Sequence, residues 1–87
     1  MTTLSNSERL VKQEVLRELI VEMGAALYRY FDDKGINEND TSNPLVLLQM
    51  ELRDEPDKLL LAKDEDIVRM DGYINYLYQF LKKIGVV

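Results

Sequence analysis

Carboxylates are the side chains of this sequence with the clearest potential for chemistry, because its 87 residues include no Cys and no His. Their absence excludes thiol nucleophiles, disulfides, Cys/His zinc sites and His-dependent acid–base catalysis. The sequence also lacks a glycine-rich phosphate loop and a nucleophile elbow. Catalysis would have to rest on Asp, Glu, Lys, Tyr, Ser or Thr. We therefore predict that the protein is not an enzyme and uses no cofactor.

One row of carboxylates has the spacing of a metal site. Glu14, Glu18 and Glu22 lie four residues apart, so they share one side of a helix. Such acids bind metal ions in helical bundles when they face the core and a second acidic helix lies opposite. These three fall opposite the apolar side, flanked by Arg17 and Arg29. We interpret the row as a solvated ridge, and a metal-dependent hydrolase is the less favoured alternative.

The polar loop at residues 37–43, together with Asp32 and Asp33 before it, is rich enough in side-chain oxygens to be compared with a calcium loop. An EF-hand loop needs oxygen donors at its first, third and fifth positions and Gly at its sixth. Counting from Asp33 places Gly35 third, and counting from Asp32 places Lys34 third. The pattern fails in both registers, so we predict an ordinary loop between two helices and no metal.

Helix signals precede and follow this loop. Ser5 and Glu8 form a capping box, and the first helix is expected over residues 6–34, closed by Gly35. The residue pair Asn43-Pro44 is typical of a helix start.

The second half of the chain predicts two further helices. A short one covers residues 44–54, because Pro56 disfavours helical geometry just before it. A long last helix covers residues 64–84, with acids in its first turn and lysines in its last. The pattern does not decide whether residues 57–63 join the last helix, and it gives no role to Gly72.

These elements predict an all-α fold. We expect one domain over residues 1–87: a small bundle of two long antiparallel helices with one or two short helices packed across them. The first helix carries apolar residues outside its main stripe, since Leu10, Val21 and Tyr28 form a second line on it. A second helix or subunit could cover that line. We therefore predict a homodimer. Tyr76 also lies off its helix's apolar stripe and is a further interface candidate.

Negative charge is concentrated in the middle of the chain. Residues 32–66 hold eleven acidic and four basic side chains, within a net charge of −5 for the whole sequence. Such a segment repels phosphate, so we predict no direct nucleic-acid binding. Two clusters in it are interface candidates for a basic partner: Asp54, Glu55 and Asp57, and Asp64, Glu65 and Asp66.

The sequence as a whole favours a protein–protein interaction module, such as an adaptor, a chaperone or a small regulator, with a protein partner. The alternative is an acidic inhibitor, or a mimic of nucleic acid, that occupies a basic site on its partner. Apolar runs are far shorter than the ~20 residues that cross a bilayer. The first residues also lack the basic region and apolar stretch of a secretory signal. We expect no membrane association and a cytoplasmic protein.

Overall fold

The computed structural model describes residues 3–87, which form three helices: α1 (Asn6–Lys34), α2 (Pro44–Leu60) and α3 (Asp64–Lys83). The prediction of an all-α fold is confirmed. The 29 residues of α1 extend over about 43 Å at 1.5 Å per residue, close to the molecule's longest dimension of 44 Å. α1 packs against both other helices, whereas α2 and α3 touch each other at few points in the described part of the chain. α1 is therefore the scaffold of the fold.

Local capping explains the two ends of α1. The Ser5 hydroxyl accepts a hydrogen bond from the Glu8 amide at 3.2 Å, which satisfies one of the free N–H groups of the first turn. At the other end Gly35 adopts the left-handed conformation, with φ of 67°. This turn lets the Ile36 amide donate to the Phe31 carbonyl at 2.8 Å, as in a Schellman closure.

α2 begins where the sequence predicts and ends later. The Asn43 side chain accepts from the Leu45 amide at 2.9 Å, and Pro44 follows at the first helical position. The predicted end at residue 54 is wrong, because the helix continues through Pro56 to Leu60. Residues 57–60 therefore belong to α2 and not to the last helix.

Tertiary burial explains why Pro56 does not end the helix. A proline inside a helix removes one backbone hydrogen bond and costs about 3 kcal/mol. Leu52 and Leu59, before and after the proline, are both 2% exposed. Burying two leucine side chains contributes about 3–6 kcal/mol, which is enough to keep the helix intact across the proline.

The directions of the helices differ from the predicted antiparallel arrangement of the two long helices, α1 and α3. Gln13 near the start of α1 donates to the Leu59 carbonyl near the end of α2, so these helices are antiparallel. Lys12 of α1 pairs with Asp71, early in α3, which shows that the last helix runs parallel to α1. The antiparallel partner of α1 is thus α2, because the longer α2 carries the chain back to the start of α1 before α3 begins.

The core lies along one side of α1 and is closed by one face of each other helix. Its fully buried side chains include Leu16, Ile20, Met23 and Leu27 of α1, Val46 and Leu52 of α2, and Ile67, Ile74 and Leu81 of α3. The polar faces remain in solvent. None of the helices formed by residues 3–87 carries an apolar stretch that could cross a membrane.

Candidate protein-binding surfaces

The second apolar line of α1 is exposed. Leu10, Val21 and Tyr28 are 66%, 59% and 41% exposed. Their separations of eleven and seven residues return each to the same side of the helix, over about 27 Å. Isolated surface leucines are ordinary, but an apolar line of this length marks a candidate contact surface. The predicted line is therefore accessible to a partner.

This line forms one wall of a groove between α1 and α2, called here the α1–α2 groove. The groove contains two cavities that share Pro56. One, of about 490 Å³, is lined by Leu10, Leu59 and Leu60 among others. The other, of about 330 Å³, is bordered by Val21, Gly24, Ala25, Tyr28 and Arg53. The α2 wall was not predicted, since it requires the helix to continue past residue 54.

Small residues keep the groove open at the end near Tyr28. A Cβ atom at Gly24 would meet no other group within 4 Å, so the space beside it is unfilled. The Tyr28 ring is held edge-on against the buried Phe31, with ring centroids 6.4 Å apart. Aromatic rings that are anchored in this way lose little conformational entropy when a partner covers them.

Charges differ between the two ends of the α1–α2 groove. Glu14 and Glu18 border the end near Leu10, together with Arg17. Arg53 borders the other end, where its guanidinium lies 3.5 Å from the Oε1 of the buried Gln49. The groove therefore has a largely acidic end and a basic end.

A second surface, called here the α2–α3 cleft, lies on the other side of α2. It is a cavity of about 500 Å³ lined by the apolar side chains of Leu61, Ala62, Met70 and Tyr73. Two ion pairs also line it, Lys58 with Glu55 on α2 and Arg69 with Asp66 on α3. The cleft exists because α2 and α3 both pack on α1 rather than on each other.

The Tyr73 hydroxyl connects the two walls of the cleft. It donates a hydrogen bond to Glu51 Oε1 of α2 at 3.1 Å. Burial and this hydrogen bond, followed by the charges of Glu51 and Glu55, raise the pKa of Tyr73 above its ordinary value. The ring itself remains 42% exposed, so Tyr73 is accessible to a partner that enters the cleft.

The residues of the first predicted acidic cluster differ in exposure. Glu55 is only 7% exposed and its carboxylate pairs with Lys58 at 3.3 Å, so little of this interface candidate is open to a partner. Its position one turn after Leu52 and four residues before Leu59 puts it on the buried face of α2. Asp54 and Asp57, its neighbours, are exposed.

The second cluster opens α3. Asp64 pairs with Arg9 at 2.7 Å and accepts from the Leu4 amide at 3.0 Å, so it joins the starts of α1 and α3. Glu65 is exposed, and Asp66 pairs with Arg69. Tyr76, the remaining candidate, is 67% exposed on the outer face of α3.

The structure brings no metal site together. Glu14, Glu18 and Glu22 are all exposed, and within residues 3–87 no three acidic side chains converge on a point that could hold an ion. In the loop before α2, the Asp40 carboxylate accepts from the Ser42 hydroxyl at 2.6 Å. This hydrogen bond lowers the pKa of Asp40, whose carboxylate thus serves the turn itself.

Comparison with known proteins adds a family to this geometry. Residues 6–84 match the family described as bacterial epsilon antitoxin. The chain belongs to this family. It is also 29% identical over 84 residues to antitoxin PezA of Streptococcus pneumoniae serotype 4. That match covers 94% of this chain and 53% of the relative, so the chain spans about half the relative's length. No solved structure matches it significantly.

Family membership bears on the predicted interaction module. Both the family and the relative are described as antitoxins, which is consistent with a protein-interaction module. The general prediction of a protein-binding module is supported to that extent. The matched region contains all three helices and both walls of the groove and the cleft.

Proposed function

We propose that this protein is an antitoxin that neutralises a toxin protein by forming a stoichiometric complex with it. The family and the relative's name support this proposal. The geometry supports it as well, because the exposed features are apolar surfaces suited to a protein partner. Neutralisation then depends on binding energy and requires no chemical step by the antitoxin. The cytoplasmic location stays a prediction.

We place the toxin contact on the α1–α2 groove. The observation that carries this choice is the 27 Å apolar line of Leu10, Val21 and Tyr28 beside an open groove. An apolar groove between two helices accepts the apolar face of a third helix or an extended segment. Anchored aromatic side chains such as Tyr28 are typical of the residues that dominate binding energy at interfaces.

The predicted homodimer is a second proposal for the same groove. Its support is the charge pattern, since a second copy laid antiparallel would place Glu14 and Glu18 of one chain near Arg53 of the other. The toxin and the second copy would then compete, and dimers would dissociate when toxin is added. Light scattering at micromolar concentration tests this: a monomer mass would end the dimer proposal and leave the toxin proposal unaffected.

The proposed function is tested by capture and rescue. The tagged protein is used to isolate its partner from the native host, and the captured partner is expressed alone and together with the antitoxin. We expect growth arrest from the partner alone and restored growth on co-expression. A captured partner that does not impair growth, or whose toxicity the antitoxin does not relieve, would contradict the proposal.

Two matched variants locate the contact. The groove variant combines Leu10→Ser with Tyr28→Ser, and the cleft variant combines Leu61→Ser with Tyr73→Ser. Each loses one exposed leucine and one tyrosine of nearly equal exposure, 41% for Tyr28 and 42% for Tyr73. We expect only the groove variant to lose rescue. Equal rescue by both variants would indicate that the toxin does not bind at the groove.

A further inference from the structure

We propose that the α2–α3 cleft is a second docking surface, and that its occupant is a basic amphipathic helix presented by a protein partner. The cleft has a volume of about 500 Å³ and an apolar floor, and it lies between two antiparallel helices that barely touch. A third helix laid along such a seam packs against both walls, as in other helix-in-groove complexes. This proposal is independent of the toxin contact on the opposite side of α2.

The cleft continues as an exposed apolar surface along α3. Phe80 and Ile84 lie seven and eleven residues after Tyr73, so all three face the same side of the helix, and all three are exposed. On the α2 wall, Leu47 lies one turn before Glu51, which is bonded to Tyr73, and is 50% exposed. From Met70 to Ile84 the surface extends over about 21 Å, the length of a helix of about 14 residues.

Charge selects the sign of the occupant. The α2 edge of the cleft carries the carboxylate of Glu51 beside the ion pair of Glu55 with Lys58. On α3, Asp66 and Arg69 compensate each other. The net charge of the lining is therefore negative. A helix with Lys or Arg beside its apolar face complements this edge, whereas an acidic helix is repelled by it.

The same charge argues against a second copy of this chain as occupant. At its Leu10 end, the exposed apolar line of α1 is bordered by the two acids Glu14 and Glu18 and by one cation, Arg17. Insertion of that line into the cleft would place these carboxylates beside those of α2, and like charges at an interface are unfavourable. Nucleic acid is disfavoured for the same reason.

The hydrogen bond between Tyr73 and Glu51 spans the cleft in the free protein. An occupant must displace it, and a lysine of the incoming helix can then pair with Glu51 while the tyrosine ring covers the lysine's methylene groups. An ion pair, in which both groups are charged, then replaces a hydrogen bond in which only the acceptor is charged. The exchange favours a basic side chain over a neutral one.

Two synthetic peptides test the proposal. Each is a 16-residue amphipathic helix with a leucine face and one Trp. The edges are Lys in the first peptide and Glu in its twin. The protein contains no Trp, so Trp emission reports on the peptide alone. We expect a blue shift with one-to-one stoichiometry for the Lys peptide and an affinity at least tenfold weaker for the Glu twin. The affinity of the Lys peptide should also fall at least fivefold between 50 and 300 mM salt.

The matched variants determine where the peptide binds. The cleft variant should bind the Lys peptide at least tenfold more weakly, and the groove variant should stay within twofold of the unchanged protein. Equal losses in both variants, or equal binding of the two peptides, would overturn the proposal. So would a dimer that the cleft variant abolishes, since the occupant would then be a second copy. Because growth rescue is measured separately, failure here is distinguishable from failure of the antitoxin proposal.

Discussion

The two sides of α2 differ in how they contact the neighbouring helices. Towards α1, α2 buries Leu52 and Leu59 in the core. Towards α3 it presents Glu51 and Lys58, and the Tyr73 hydrogen bond crosses an open cleft. Apolar burial against α1 therefore stabilises α2, whereas the edges that border the groove and the cleft remain partly exposed.

The largest expected effect lies in the core beside α1. Leu27 is fully buried, so Leu27→Ala should reduce the free energy of unfolding by about 2–5 kcal/mol through lost burial and a residual cavity. Leu61, in the cleft, is 89% exposed, and Leu61→Ala should change it by less than about 0.5 kcal/mol. Urea unfolding followed by circular dichroism measures both. Similar losses in the two variants would contradict the division between core and cleft.

The proline of α2 gives the next effect. Pro56→Ala restores the backbone donor that the proline lacks, so we expect a gain of about 1–2 kcal/mol after allowing for the more flexible unfolded chain. Pro56 also lines both cavities of the α1–α2 groove. A loss of stability would mean that its ring packing outweighs the missing hydrogen bond.

The third effect concerns the junction of α1 and α3. Asp64→Asn removes the charge that pairs with Arg9 and should cost about 1 kcal/mol, since the Asp64 side chain is only 14% exposed. Asp66→Asn is the matched control in the same helical turn, with a 46% exposed side chain, and should cost less than about 0.5 kcal/mol. Thermal unfolding at neutral pH compares them. Equal costs would show that only the helix dipole matters.

The sequence predicted the parts of the fold that depend on local chemistry. The caps at Ser5, Gly35 and Asn43 follow from side chains a few residues away. The continuation of α2 past Pro56 depends on burial against α1, and the parallel α3 follows from that continuation. One local signal indicated it: Leu45, Leu48, Leu52 and Leu59 are separated by three, four and seven residues, and this helical period passes through the proline.

The candidate surfaces also differ in whether the sequence could predict them. The line of Leu10, Val21 and Tyr28 could be predicted because it lies on one helix and follows from the helical period. The α2 wall of the groove and the α2–α3 cleft could not, since they join residues distant in sequence. Glu55 was chosen as an interface candidate for its charge, and its spacing from Leu52 and Leu59 puts it on the buried face of α2.

The smallest effect is the pH dependence at the cleft. Because the pKa of Tyr73 is raised, the folded state holds the phenolic proton more tightly than the unfolded chain. Its contribution to stability is fully present below about pH 10 and is lost as the pH rises through the raised pKa. Tyr73→Phe should therefore flatten the decline in unfolding free energy above about pH 10, and Tyr76→Phe should not. Parallel declines in both variants would place the titration elsewhere.

Calorimetric titration of the purified toxin with the antitoxin tests the central claim most directly. We expect saturable one-to-one binding for the unchanged protein and for the cleft variant. For the groove variant we expect an affinity at least tenfold weaker, with folding unchanged by circular dichroism. Undiminished binding of the groove variant, together with loss in the cleft variant, would contradict the assignment of the α1–α2 groove as the toxin contact.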